Sequence, residues 1–212
     1  MTTRTRIAVL ASGGGSNLQS LIDYFAADDG ADIVWVGSNR ADAGALVRAR
    51  DAGIAACVIH DPTDGAWLRS ALDDARVDLL VLAGYLKLVP PTVVHAFHGR
   101  VVNVHPALLP AFGGDGMYGR RVHAAVLAHG ARLSGVTVHF VDEQYDRGAI
   151  IAQWPVRVYA TDTVDALAAR VLGVEHQLLP RVVDALAAGL VSLDTDGRVI
   201  GEVPLPPFAE LV

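Results

Sequence analysis

Asn103 and His105 lie two residues apart at the end of the run Val101-Val102, and Pro106 follows them. Side chains on a strand alternate faces, so both point the same way, with Val104 turned opposite. Pro106 has no N–H for a sheet ladder and stops the strand there. The pattern presents an amide and an imidazole together at the carboxyl end of a buried strand, where open α/β sheets place ligands. An amide donor can hold a developing oxyanion, and an imidazole moves protons near neutral pH. A single histidine is more often structural than catalytic. A second polar group at the same strand end favours chemistry.

The segment Ala11-Ser12-Gly13-Gly14-Gly15-Ser16-Asn17 follows an apolar run and opens an amphipathic helix. Consecutive glycines let the backbone adopt positive φ and approach a ligand. Free N–H groups and the dipole at a helix start attract phosphate. Gly-Lys-Ser/Thr is missing, so this is not a nucleoside triphosphate loop, and Leu18 stands where a dinucleotide fold wants its third glycine. A plain capped turn is the competing reading.

A polar loop, Asp142-Glu143-Gln144-Tyr145-Asp146-Arg147-Gly148, follows the run ending in Phe140-Val141. A remote carboxylate can orient an imidazole and favour its charged form. Glu175 stands amid Val171, Leu172, Val174, Leu178 and Leu179 on a long helical pattern. A carboxylate on an apolar face is costly unless paired, so it is either a salt-bridged edge residue or a receptor for a cationic ligand group. His139 alternates with Thr137 and reads as structural. The remaining histidines show no paired ligand spacing, and no metal is expected.

These residues need a scaffold, and the chain supplies a regular one. Ile7–Leu10, Ile33–Val36, Cys57–Ile59 and Leu79–Leu82 read as buried parallel strands. Leu18, Leu21, Ile22 and Phe25 share one helical face, as do Trp67, Leu68, Ala71, Leu72 and Ala75. The alternation predicts an α/β fold with a Rossmann-like, mostly parallel sheet flanked by helices over about residues 5–105. Beyond it come a Gly- and Pro-rich loop, a short helix near 122–128, and strands at 135–141 and 149–154. A long helix follows from Asp162 or Thr163 to about Ala188, kinked at Pro180, and then a terminal hairpin. The chain is expected to be one domain over 1–212, with a phosphate-binding half (1–105) and a catalytic half (106–212).

Composition narrows the function. Hydrophobic residues make up 52% of the 212, yet no run approaches the roughly 18 apolar residues of a membrane span. Residues 1–6 lead into the first strand without a signal-peptide pattern. The single cysteine, Cys57, forbids an internal disulfide and makes a reducing cytoplasm the expected compartment. A formal charge of −6 argues against nucleic-acid binding and points to a small anionic ligand held by local donors.

Taken together, Ser12-Gly13-Gly14-Gly15-Ser16-Asn17-Leu18, Asn103-Val104-His105-Pro106-Ala107-Leu108-Leu109-Pro110 and Gly135-Val136-Thr137-Val138-His139-Phe140-Val141, with Asp146 and Gly148 beyond, resemble the folate-dependent phosphoribosylglycinamide formyltransferases. The resemblance covers nearly the whole chain and implies the formyltransferase fold. It also implies small-molecule substrates: 10-formyltetrahydrofolate as co-substrate and 5-phosphoribosylglycinamide as acceptor in purine biosynthesis. On that resemblance Asn103 and His105 stabilise the oxyanion, His105 helps protonate the departing folate nitrogen, and Asp146 holds His105 charged. Gly14, Gly15, Ser16 and Asn17 take the ribose phosphate and Glu175 the substrate amine. Leu86, Lys87, Leu88 and Val89, with Asn103 and Asp142, contact folate.

The chain departs from that pattern in places. Asp64 stands where relatives often carry an arginine, with Arg69 a candidate replacement; Ala107 replaces a frequent serine; and Asp146-Arg147-Gly148 replaces Asp-Gly-Gly. The loop 112–121 is longer than usual. With its four glycines it is expected to be mobile, either as a lid or as an excursion away from the site. Related readings are the methionyl-tRNA formyltransferases, expected to need a further C-terminal domain, and the formyltetrahydrofolate hydrolases, expected to need an N-terminal one. A non-catalytic sugar-phosphate sensor explains the glycine turn but leaves Asn103, His105 and Asp146 without a purpose.

Overall fold

A computed structural model describes residues 4–27 and 30–206, so the expectation about Met1, Thr2 and Thr3 lies outside the described residues. Five strands, β1 (Thr5–Leu10), β2 (Ala31–Ser38), β3 (Ala55–Val58), β4 (Leu79–Leu82) and β5 (Val101–His105), run parallel. The next two, β6 (Leu133–Phe140) and β7 (Ile150–Arg157), pair antiparallel, giving the order β3-β2-β1-β4-β5-β6-β7. One sheet thus spans both sequence halves.

Residue alternation on β1 divides the core. Ile7 and Val9 join the larger apolar cluster, under α1 (Ser16–Phe25), α2 (Gly44–Asp51), α5 (Arg120–His129) and α6 (Val164–Ala187). Ala8 and Leu10 join the smaller one, under α3 (Gly65–Asp74) and α4 (Pro91–Ala96). With both faces covered, strand residues are apolar in unbroken runs, as in other doubly covered sheets.

The structure differs from the local sequence reading at Pro91. Pro90-Pro91 reads locally as a loop exit, yet Pro91 is the first residue of α4. A first-turn N–H has no helical acceptor, so proline costs nothing there. Pro180 lies inside α6, as the sequence predicts, and the helix runs on through it for 24 residues in all. Pro180 is buried with Leu178, Leu179, Val182 and Val183 against the core, and that packing holds the helix through the missing hydrogen bond. Thr163 caps α6, its hydroxyl accepting from the Ala166 N–H. β8 (Val191–Leu193) and β9 (Val199–Gly201) form the terminal hairpin, turned by the Asp194 carboxylate accepting from the Asp196 and Arg198 amides. Among the described residues no helix is long and apolar enough to cross a membrane.

Candidate functional site

The antiparallel register of β5 and β6 sets Asn103 opposite His139 and His105 opposite Thr137. Asp146, in the loop after β6, adopts a left-handed φ of 56° that turns its carboxylate back onto this pair of strands. The result is a four-residue polar cluster. Asn103 Nδ2 lies 3.1 Å from His139 Nε2 and 3.4 Å from Asp146 Oδ1. His105 Nδ1 lies 3.4 Å from Asp146 Oδ2, and its Nε2 lies 2.9 Å from the Phe112 carbonyl.

The tautomers follow from the partners. His139 Nδ1 faces the Phe140 carbonyl at 2.7 Å and carries a proton, while its Nε2 stands 3.1 Å from Asn103 Nδ2 and 3.6 Å from Asp146 Oδ1. His139 thereby fixes which way the Asn103 amide points. Read from sequence as structural, it is a positioning residue of this cluster, and the signal for it was its alternation with Thr137 on a strand beside Asn103. The 3.4 Å contact to Asp146 is the weaker of the two that Asn103 makes, and the one that can be exchanged for a ligand oxygen.

Both His105 nitrogens face acceptors, an arrangement only the imidazolium satisfies fully. Burial opposes it and is the larger influence. It lowers the His105 pKa below the ordinary value, against the raising effects of Asp146 and the Phe112 carbonyl. In the ligand-free protein Asp146, 3.4 Å away, thus favours the charged imidazole that it was expected to hold, while burial works against that charge. For Asp146 burial works upward, but His139, His105 and the Gly114 N–H together outweigh it and hold the carboxyl below its usual range.

The long loop is built into this cluster. The Gly114 N–H donates to Asp146 Oδ2 at 2.9 Å, and a side chain at Gly113 would press on Asp146 Cβ at 3.2 Å. Phe112 packs against the main core and the His129 ring. Residues 114–119 line the same cavity as Asn103 and His105, which excludes an excursion away from the site.

That cavity, about 380 Å³, gathers the expected folate segment as well. Leu86, Lys87, Leu88, Val89, Asn103 and Asp142 all line it, together with Glu175, His123, His139 and Tyr145. Asp64 is elsewhere: it caps α3, accepting from the Trp67 N–H at 2.9 Å. Arg69 is paired with Asp73 at 2.6 Å and stacked over Phe97, away from the cavity, so it does not replace the expected arginine. The cations lining the cavity are Lys87 and Arg120, and Arg120 is paired with Asp165.

At the glycine turn, Gly15 stands before α1 with φ 75°. A Cβ there would meet Ala45 Cα at 2.6 Å, whereas Gly13 and Gly14 face open space. The turn is thus fitted against α2 through Gly15, and the Gly13 and Gly14 carbonyls also accept from α2, from the Ala45 N–H and from Arg48, while their Cα positions face outward. Gly15→Val should cost on the order of 2 kcal/mol in stability and most ribonucleotide affinity, checked by thermal unfolding and titration calorimetry. Ser16→Ala, a loss of one half-buried hydroxyl, should change affinity by less than about tenfold.

The Asn17 side chain turns inward. Its Nδ2 donates to Glu175 Oε2 at 2.8 Å, and both residues are buried. Asn17 offers the turn its backbone N–H, while its amide orients the carboxylate. Burial raises the Glu175 pKa to about 7, against the lowering effect of that hydrogen bond. The consequence has a definite sign. Ionising Glu175 in the folded protein carries a penalty that is absent below the ordinary value of 4.5, grows up to about 7, and is full above it. Glu175→Gln should therefore stabilise the free protein at about pH 8, by up to roughly 3 kcal/mol, and have little effect near pH 4. Thermal unfolding at the two pH values reads the difference. A loss of stability at both would contradict it.

Ser12 gave no signal in the sequence beyond its place in the turn. Its buried hydroxyl donates to Asn39 Oδ1 and accepts from the Leu86 N–H at 2.9 Å, and its own N–H donates to the Gly84 carbonyl. One side chain thus ties the glycine turn to the segment 84–89.

Comparison with known proteins agrees with this geometry. A family model described as formyl transferase matches residues 5–183. The chain is 46% identical to a chloroplastic phosphoribosylglycinamide formyltransferase of Arabidopsis thaliana, over 92% of this chain and 69% of the plant protein. It is 39% identical to the phosphoribosylglycinamide formyltransferase of Haemophilus influenzae, over 95% of this chain and 96% of that one. Among solved structures it is similar to glycinamide ribonucleotide transformylase 1 from Symbiobacterium toebii, with a TM-score of 0.86 and 38% identity over 94% of each chain.

Proposed function

The chain belongs to the formyl transferase family, and on that premise we propose that it transfers the formyl group of 10-formyltetrahydrofolate to the amine of 5-phosphoribosylglycinamide, a step of purine biosynthesis. The observation that carries the reading is the shared cavity. Asn103, His105 and Asp146 line it together with the segment 86–89 and the buried carboxylate of Glu175. Names borne by relatives at 39–46% identity favour transfer to the ribonucleotide over hydrolysis of the formylfolate.

The roles follow from the chemistry. Attack of a neutral amine on the formyl carbon puts negative charge on oxygen and positive charge on nitrogen. Asn103 exchanges its long contact with Asp146 for the new oxyanion. His105 shares its proton with that oxygen and passes one on to the departing folate nitrogen. Asp146 stabilises the imidazolium as it forms. Glu175, poised near 7, receives the amine and takes up the proton it sheds. Leu86, Lys87, Leu88 and Val89 flank the pterin, with Asp142 beside it. Gly14, Gly15, Ser16 and Asn17 hold the ribose phosphate at the start of α1. Both halves, 1–105 and 106–212, act as one catalytic unit because one sheet runs through them. The single cysteine supports a reducing compartment, and the cytoplasm is our reading.

A spectroscopic assay of folate deformylation, run with and without the ribonucleotide, tests the proposal. Turnover that requires the ribonucleotide supports it. Turnover independent of the amine means a hydrolase, and binding of the ribonucleotide without turnover means a sensor.

A further inference from the structure

The register that sets His105 opposite Thr137 also sets Thr137 opposite Gln153 on β7, so the three side chains form one row across the sheet. Thr137 and Gln153 take no part in the reading above. Thr137 is fully buried, and its hydroxyl uses its whole hydrogen-bonding capacity. It donates to the Ala107 carbonyl at 2.7 Å and accepts from the Leu109 N–H and from Gln153 Nε2, each at 3.0 Å. Gln153 Nε2 donates a second time, to the Leu109 carbonyl at 2.9 Å. Two side chains thus grip the backbone of the turn after β5 at three points.

That turn leads straight to Phe112. The Ala111 N–H donates to the Leu108 carbonyl, and the Leu109 side chain lies so close to Gly113 that a Cβ there would overlap it. Phe112 itself has a left-handed φ of 56°, which is costly for a residue with a side chain and persists only where its surroundings hold it. Its carbonyl is thereby turned onto His105 Nε2. In the neutral ring that acceptor keeps the proton on Nε2. It leaves Nδ1, on the Asp146 side, as the nitrogen that can exchange a proton with substrate. Without a fixed carbonyl the two tautomers would compete.

We propose that Thr137 and Gln153 are positioning residues of the reaction: by clamping the turn 107–109 they aim the Phe112 carbonyl at His105 and so fix which ring nitrogen works. That His105 moves protons in a formyl transfer rests on the functional reading above, whereas the setting of its tautomer by the clamp does not.

Two substitutions separate the hydroxyl from the shape. Thr137→Val keeps the shape and removes the hydroxyl, and Thr137→Ser keeps the hydroxyl and removes a methyl. Ring-nitrogen NMR of the free protein should find neutral His105 protonated on Nε2, both in the unaltered protein and in Thr137→Ser. In Thr137→Val both tautomers should be present. The His105 titration should also move to lower pH there, because the Phe112 carbonyl is one of the two groups that favour the imidazolium. The titratable groups around the ring, Asp146, His139 and His123, and Glu175 lining the same cavity, are the same in both variants. Turnover with the ribonucleotide should fall by about ten- to a hundredfold in Thr137→Val, with KM for both substrates within a few-fold, and stay near normal in Thr137→Ser. Gln153→Met, at a half-buried position, should act in the same direction by several-fold, and it decides the matter if Thr137→Val does not fold. An unchanged His105 tautomer and titration in folded Thr137→Val, or in Gln153→Met where the former does not fold, overturns the inference. An equal loss of turnover in Thr137→Ser does so too. If the NMR results are as expected but the unaltered protein shows no ribonucleotide-dependent turnover, the functional reading falls and the clamp stands.

Discussion

Asp146→Asn should reduce turnover by about 10²- to 10⁴-fold while leaving the affinity for both substrates within a few-fold. The carboxylate serves four neighbours. It accepts from the Gly114 N–H, lies 3.4 Å from both Asn103 Nδ2 and His105 Nδ1, and lies 3.6 Å from His139 Nε2. An amide keeps the shape but turns one acceptor into a donor, so either Gly114 or Asn103 then faces an N–H. The charge is lost as well. After burial, Asp146 is the largest influence on the His105 pKa, and without it only the Phe112 carbonyl opposes burial. The His105 titration should move to lower pH, and the limb of the rate profile that reports it should move the same way. An NMR titration of His105 that is unchanged in the mutant would contradict the electrostatic role. Stability should respond too. A carboxyl held below its ordinary value stabilises the fold above that value and loses the contribution as pH falls through the folded pKa, so Asp146→Asn should flatten the acid side of the stability curve.

His105→Ala is expected to abolish turnover to a similar extent, about 10²- to 10⁴-fold, with ribonucleotide affinity retained. Proton delivery disappears with the imidazole, and the Phe112 carbonyl loses its donor at the same time. That orphaned carbonyl gives a second readout, since the amide protons of the loop from Phe112 to Gly114 should exchange faster in the mutant. Near-normal turnover in a folded His105→Ala protein would remove His105 from the mechanism. The double variant with Asp146→Asn should be little worse than either single one, because residues that act as a unit are not additive. A full multiplicative loss would mean that the two act independently.

Much of the scaffold was legible because it depends on local rules. Period-two and period-3.6 patterns located the strands and long helices, and Thr163 marked the start of α6. The same alternation put Asn103 and His105 on one face, and Pro106 ended their strand. Local rules failed where packing overrode them. Pro90-Pro91 reads as a loop exit and begins α4, and packing of Pro180 against the core carries α6 on past the hydrogen bond that the proline cannot make. The eight-residue α2 carries too weak an apolar stripe to be seen alone.

The site divides in the same way. The sequence by itself determined which functional groups are available and that the glycine turn opens a helix, since both depend on residue type and near neighbours. It could not single out Asp146 from Asp142 and Glu143 on local grounds, and family resemblance made that choice. The left-handed backbone at Asp146 is what turns its carboxylate onto Asn103 and His105. The register of β5 and β6, decided across the sheet, made His139 a partner of Asn103. Packing of the loop 106–119 supplied the Phe112 carbonyl and the Gly114 N–H. Packing of α1 against α6 joined Asn17 to Glu175, residues 158 positions apart. The direction of the His105 pKa was also a tertiary decision. A neighbouring carboxylate predicts a rise, but desolvation depends on every group packed around the ring, and here it prevails.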